Sequence, residues 1–251
     1  MRLLSTLSIA ALLAAPAFAS ATEPAAGAKN IVLVHGAFAD GSGWRVVHDV
    51  LRLKGYKVSV VQEALTSLED DVAATRALVD RQDGPVVLVG HSYGGSVITV
   101  AGDAAKVKAL VYVAAFEPEV GESVAMLAAR KPALSTAIQT TPDGRLSLDP
   151  AQFGADFAGD LPPNRTNFMA ASQVSASPAV FGAKVAVAAW HDKPSYAIVA
   201  TEDRSINPDL QRQMYRRAGA TVTEIKGSHA VYISQAEAVA AVIEQAALNA
   251  R

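Results

Sequence analysis

Pro85-Val86-Val87-Leu88-Val89-Gly90-His91-Ser92-Tyr93-Gly94-Gly95 is the stretch on which the reading of this chain turns. Val86 to Val89 is a short unbroken run of mostly β-branched residues behind a proline, the pattern of a buried strand. From about Gly94 to Ala104 the spacing becomes helical. Between them stands Gly-x-Ser-x-Gly. In a strand-turn-helix setting this pattern puts the serine on a sharp, strained bend with its hydroxyl clear of the sheet. Gly90 and Gly94 flank it because side chains there would collide in so tight a turn. Ser92 is therefore the candidate nucleophile.

Outward from this point, strands and helices alternate. Ile31-Val32-Leu33-Val34, Lys57 to Val61, Val107 to Ala114, Tyr196 to Ala200 and Thr221 to Ile225 read as further strands. Trp44 to Lys54 has helical spacing and ends at Gly55, a residue tolerant of positive φ. Ser67 followed by Asp70 resembles a capping box that opens the next helix. Further helices are expected over Pro208 to Ala218 and Ser234 to Leu248. Apolar strands separated by helices predict an α/β fold, a mostly parallel sheet with helices on both faces. The alternation breaks over residues 119–194, which hold several prolines and no convincing strand. That stretch is too long for a plain loop. It is expected to be a helical cap inserted over the sheet's C-terminal edge, leaving 30–118 and 195–251 as the core.

A serine hydroxyl needs a base within hydrogen-bond reach. The chain has five histidines. His229, in Gly227-Ser228-His229-Ala230, follows the last strand and so falls at the same sheet edge as Ser92. His35, His48, His91 and His191 read as structural or solvated. The base in turn needs an acid to fix its tautomer. Asp203 follows the strand Tyr196 to Ala200, and the chain order Ser, Asp, His suits this architecture. Glu117 and Glu202 are its rivals. The anion formed in the transition state needs preorganised donors. The backbone N–H of Tyr93 is one. The loop His35-Gly36-Ala37-Phe38 supplies the other, from Ala37 or else Phe38.

Composition narrows the alternatives. The chain has 251 residues, 51% hydrophobic and 18% charged, with a net charge of -2. It is sized for one globular core, and no strong field draws nucleic acid. There is no cysteine, which excludes disulfides and thiolate chemistry. Arg2, the apolar run Leu3 to Ala15 and Ala17-Phe18-Ala19 have the form of a cleavable signal peptide over residues 1–19, too short to span a bilayer comfortably. Residues 20–29 read as a spacer. A periplasmic or secreted protein with no membrane span after cleavage is expected.

His35-Gly36-Ala37 with Trp44, the Gly90 to Gly95 bend, Asp203, and Gly227 to His229 together resemble the α/β-hydrolase superfamily, over residues 30–250. The nearest branch is that of the bacterial serine esterases related to small esterases and hydroxynitrile lyases. The resemblance implies hydrolysis of a small carboxylic ester through an acyl-enzyme at Ser92, with no metal or organic cofactor. Haloalkane dehalogenases and epoxide hydrolases of the superfamily use an Asp nucleophile. The plant lyases carry a Thr and a Lys where this chain has Gly36 and Ala230. Perhydrolase or haloperoxidase-like chemistry on the same triad, hydroxynitrile lyase-like activity, and a ligand receptor with a residual site are the alternatives. The cap is expected to shape an apolar substrate pocket. Phe38, Tyr93, Phe168 and Trp190 are its candidate lining residues, from a set that also includes Met126, Phe153, Phe157, Met169 and Phe181.

Overall fold

The computed structural model describes residues 27–250. The expected signal peptide, and most of the expected spacer, lie outside the described residues. The chain runs β1 (Asn30–Val34), α1 (Arg45–Leu53), β2 (Lys57–Val60), α2 (Leu68–Asp80), β3 (Val86–His91), α3 (Gly94–Ala101) and β4 (Val107–Val113). The inserted segment holds α4 (Val124–Arg130), β5 (Ile138–Thr140), β6 (Leu146–Leu148), α5 (Pro150–Phe157), α6 (Pro163–Ser172) and α7 (Pro178–Gly182). The core resumes with β7 (Ser195–Ala200), α8 (Pro208–Ala218), β8 (Thr221–Ile225), α9 (Val231–Ser234) and α10 (Ala236–Asn249).

Six strands form one sheet in the order β2-β1-β3-β4-β7-β8, and every pairing in it is parallel. Every residue of β1, β3 and β7 is buried, whereas the edge strands β2 and β8 are partly exposed. This is why the central strands read as unbroken apolar runs: both of their faces need covering. Crossovers between parallel strands are right-handed. The step from β1 to β2 goes one way along the sheet, and the steps from β2 onward go the other. The connecting helices therefore divide between the two faces, α1 packing on α10 and α2 on α3. The local signals act as expected: Gly55 ends α1 at φ +87, and the Ser67 hydroxyl caps α2 by accepting the Asp70 N–H.

Two expectations are corrected. The cap is not purely helical, because β5 and β6 pair as an antiparallel hairpin, with Gly144 at φ +80 in the turn. Strands of three residues are too short to show a period in sequence. The C-terminal helix begins earlier than expected and is broken at Gln235 into α9 and α10.

The register aligns Val34 with Gly90, Gly90 with Tyr112, and Tyr112 with Ala197. The C-terminal ends of β1, β3, β4 and β7 thus lie side by side. β1 and β3 are neighbours whose following helices leave toward opposite faces. A crevice opens at such a switch point, and in open α/β sheets that is where ligands bind.

Candidate active site

Ser92 stands at the crevice, between β3 and α3, with a left-handed backbone at φ +54. Such a φ costs a non-glycine residue about 1 kcal/mol or more and persists only where the surroundings impose it. Here the Ser92 N–H donates to Val113 O at 3.3 Å, and the Ser92 carbonyl accepts from Gly95 at 3.0 Å and Phe116 at 3.1 Å. The flanking glycines are steric necessities. A Cβ on Gly90 would lie 2.5 Å from Gly94 O, and one on Gly94 would lie 2.5 Å from His35 O.

Asp203 and His229 meet in the buried interior, with His229 Nδ1 2.7 Å from Asp203 Oδ2. A carboxylate only accepts, so the imidazole proton sits on Nδ1 and leaves Nε2 as the basic nitrogen. Asp203 is held from three other directions. Its Oδ1 accepts the N–H groups of Ser205 at 2.7 Å and Ile206 at 2.8 Å, and its Oδ2 accepts Gln211 Nε2 at 2.8 Å. Gln211 escaped the sequence reading, since a buried glutamine on an amphipathic helix looks like any polar helix residue. Neither rival acid meets His229: Glu202 is exposed beside Lys226, and Glu117 is buried with neither carboxyl oxygen hydrogen-bonded among the described residues. Burial pushes the Glu117 carboxyl well above its ordinary range, against the pull of Arg217.

His229 is buttressed on two sides. The His91 ring lies 4.6 Å from it, and His91 Nε2–H donates to the His229 carbonyl at 2.9 Å. Burial, then the nearby His229, holds the His91 imidazole well below its usual pKa, so it is neutral. From the cap, Asp160 accepts from the Ser228 N–H at 2.9 Å and from the Ser234 hydroxyl at 2.6 Å, and Phe157 O accepts the Ala230 N–H at 3.0 Å. Burial alone would raise the Asp160 carboxyl, but the bonds from Ser228 and Ser234 outweigh it and hold it low. His48 and His191 bond Asp49 and Glu119 away from this region.

The loop after β1 closes on Ser92. A Cβ on Gly36 would stand 2.6 Å from Ser92 Cβ, and Phe38 takes φ +63. Among the described residues, the N–H groups of Ala37, Phe38 and Tyr93 have no hydrogen-bond acceptor. They are donors available to an anion next to Ser92.

Ser92 and His229 open into one cavity of about 290 Å³. Its walls include Ala37, Phe38, Phe116, Phe157, Phe181 and Ile206, with Ile138, Leu146 and Leu148 from the β5–β6 hairpin. Among the described residues, no Lys, Arg, Asp or Glu lines it. The two other hydroxyls, of Ser135 and Ser205, are both spent on Asp156.

Of the four expected lining residues, only Phe38 takes its place in this wall. The Tyr93 ring turns into the core, where its hydroxyl donates to Asp71 Oδ2 at 2.9 Å. Trp190 is buried elsewhere, its indole N–H donating to Pro118 O at 2.9 Å. Phe168 is exposed and faces a separate cleft of about 120 Å³. Of the wider cap set, Phe157 and Phe181 line the cavity, Phe153 packs behind Phe157, and Met126 is exposed. Among the described residues, no cluster of His, Asp and Glu could hold a metal ion, and no helix is long and apolar enough to cross a membrane.

Comparison with known proteins agrees with this fold. Residues 31–242 match the model of the Alpha/beta hydrolase family. A carbendazim hydrolyzing esterase of Nocardioides sp. (strain SG-4G) is 39% identical over 112 residues, which cover 39% of this chain and 46% of that protein. Methylesterase 2 of Arabidopsis thaliana is 27% identical over 161 residues, 56% of this chain and 58% of the relative. The chain thus spans about half the length of the curated relatives it matches. A crystal structure of a pyrethroid hydrolase from Sphingobium faniae JZ-2 superposes with a TM-score of 0.72 at 24% identity, covering 87% of this chain and 96% of that one. That likeness speaks for the fold.

Proposed function

The chain belongs to the alpha/beta hydrolase family, and we propose that it is a serine hydrolase of small, uncharged carboxylic esters. His229 Nε2 takes the Ser92 proton as Oγ attacks the ester carbonyl. The carbonyl's electron pair moves to oxygen, where the N–H groups of Tyr93 and of Ala37 or Phe38 receive the charge. Asp203 stabilises the imidazolium without taking its proton. His229 then protonates the departing alcohol, leaving an acyl-Ser92. A water deprotonated by His229 attacks that acyl group, and collapse of the second tetrahedral anion releases the acid and restores Ser92.

The observation that carries the reading is that His229, paired with Asp203 at 2.7 Å, opens into the same cavity as a serine with left-handed backbone. The substrate class follows from the walls. A charged group entering this cavity would lose its hydration and find no counter-charge, a cost of several kcal/mol. The carbendazim hydrolyzing esterase and the methylesterase among the relatives are in keeping with an ester substrate. A cyanide-releasing lyase is not favoured, since among the described residues no ammonium lines the cavity to stabilise the leaving anion. The leader over residues 1–19 supports action in the periplasm or outside the cell.

Purified protein is expected to turn over p-nitrophenyl esters and to be labelled at Ser92 by a fluorophosphonate, both lost in Ser92→Ala. Full esterase activity in Ser92→Ala would sink the proposal.

A further inference from the structure

Both arms of the anion-binding hole are backed by one buried polar cluster that the hydrolytic steps above do not use. On the first arm, His35 lies at the end of β1. Its Nδ1–H donates to Gly36 O at 2.9 Å, and its Nε2 accepts the Glu63 N–H at 2.9 Å. Each ring nitrogen is thereby committed, and the ring is neutral. On the second arm, the Tyr93 hydroxyl donates to Asp71 Oδ2 at 2.9 Å, while Asp71 Oδ1 accepts the Leu65 N–H at 3.1 Å. Glu63 lies beside the first half, its Oε2 3.9 Å from His35 Nδ1, beyond hydrogen-bond reach. All five residues are buried.

We infer that His35, Asp71 and the Tyr93 hydroxyl are positioning residues of the reaction, holding the donor N–H groups of the Ala37–Phe38 loop and of Tyr93 at the distance an oxyanion requires. The inference rests on the serine-hydrolase reading. Its physical basis is strain. Phe38, Leu65 and Ser92 all have left-handed backbones, at φ +63, +54 and +54. None is glycine, so each would relax unless its neighbours prevented it. The cluster grips the chain next to each: at Gly36 before Phe38, at the Leu65 N–H itself, and at Tyr93 after Ser92. A hole donor must lie within about 2.7–3.1 Å of the anion, and a misplacement of about 1 Å can cost on the order of 100-fold in rate.

The charge state suits this role. Among the described residues Glu63 has no hydrogen-bond partner on either oxygen, and burial, then the adjacent Asp71, pushes its carboxyl well above the ordinary range. That shift favours the neutral form of Glu63. Burial raises the Asp71 carboxyl as well, but the bonds from Tyr93 and Leu65 pull against that rise, and they leave Asp71 as the acceptor for both donors.

Tyr93→Phe deletes only the hydroxyl and leaves the Tyr93 N–H and the cavity walls in place. With a p-nitrophenyl ester as substrate, kcat is expected to fall about 10- to 100-fold with KM within about threefold. An aryl trifluoromethyl ketone adds to Ser92 as a tetrahedral oxyanion, so its Ki should weaken by the same factor as kcat/KM. His35→Gln, which keeps an acceptor for Glu63 but loses the donor to Gly36, should show the same pattern should Tyr93→Phe fail to fold. A lower melting temperature with kcat and the ketone Ki unchanged, or a rise confined to KM, would overturn the inference while fluorophosphonate labelling of Ser92 leaves the hydrolase reading standing. A wild-type protein that neither labels nor turns over ester would overturn both.

Discussion

Replacing Gln211 with leucine separates the stability of the acid's socket from its catalytic geometry. Gln211 is buried and makes three hydrogen bonds: Nε2 to Asp203 Oδ2 at 2.8 Å, Nε2 to Ile206 O at 3.0 Å, and Oε1 from the Ala200 N–H at 3.2 Å. Leucine is of similar size but satisfies none of them. The Ala200 N–H and the Ile206 carbonyl would be left buried and unpaired, at about 1–3 kcal/mol each, and Asp203 would lose a donor to a charged acceptor worth about 1.5–3 kcal/mol. Some of this is offset by the apolar side chain, for a net destabilisation of roughly 3–5 kcal/mol. In a domain of this size that lowers Tm by roughly 6–20 °C. Catalysis should suffer far less. Asp203 keeps the Ser205 and Ile206 N–H groups at 2.7 and 2.8 Å and the His229 bond at 2.7 Å. At a temperature where the variant is folded, kcat on a p-nitrophenyl ester should drop less than about tenfold, against about 10⁴-fold for Asp203→Asn. A Tm within 2 °C of wild type, by thermal melt, would show that the glutamine bonds are not holding this region. A loss of kcat equal to that of Asp203→Asn would show that the two backbone donors do not suffice to aim the acid.

Gly36→Ala places a Cβ 2.6 Å from Ser92 Cβ, about 0.8 Å inside ordinary contact, so the loop carrying Ala37 and Phe38 must withdraw. A kcat lower by roughly 100-fold with circular dichroism unchanged is expected. Glu117 has a folded pKa raised above its unfolded value near 4.5, so its favourable contribution is present below that pH and fades as pH rises through the folded pKa. Glu117→Gln should match wild type in Tm near pH 4.5 and gain on it as pH rises above that value; a difference that does not change with pH would refute this. Ile138 is exposed yet lines the cavity mouth, so Ile138→Trp should fold normally and lower kcat/KM for p-nitrophenyl octanoate at least about tenfold while p-nitrophenyl acetate stays within about threefold. Equal changes on both esters would remove the hairpin from the substrate's path.

What the sequence disclosed and what it hid follow from how far apart the determinants lie. The bend at Ser92 is local: a strand, two glycines and a helix within a dozen residues. That Asp203 and His229 would meet at one sheet edge was legible because each directly follows a strand whose direction is common to the sheet. The pocket lining was not, since whether an aromatic faces a cavity or the core depends on packing. Tyr93 sits beside the nucleophile in the chain, yet its ring points the other way to reach Asp71. Asp71 itself, in the first turn of α2, passes for a helix-stabilising acid. The β5–β6 hairpin did leave a trace, the turn-forming Thr141-Pro142-Asp143-Gly144, which the short flanking strands kept from standing out.

The cap does more than roof the cavity, because α5 and the turn after it hold the loops that carry Asp203 and His229. Asp156 receives Arg204 Nε at 2.8 Å beside the acid, while Phe157 O and Asp160 hold the turns on either side of His229. Anyone grafting a foreign cap onto this core to change its selectivity would cut these tethers. A chimera lacking equivalents of Asp156 and Asp160 would inherit the new pocket with a wandering base. The hairpin is the better target for exchange, since it borders the cavity and its ends meet short of those anchors.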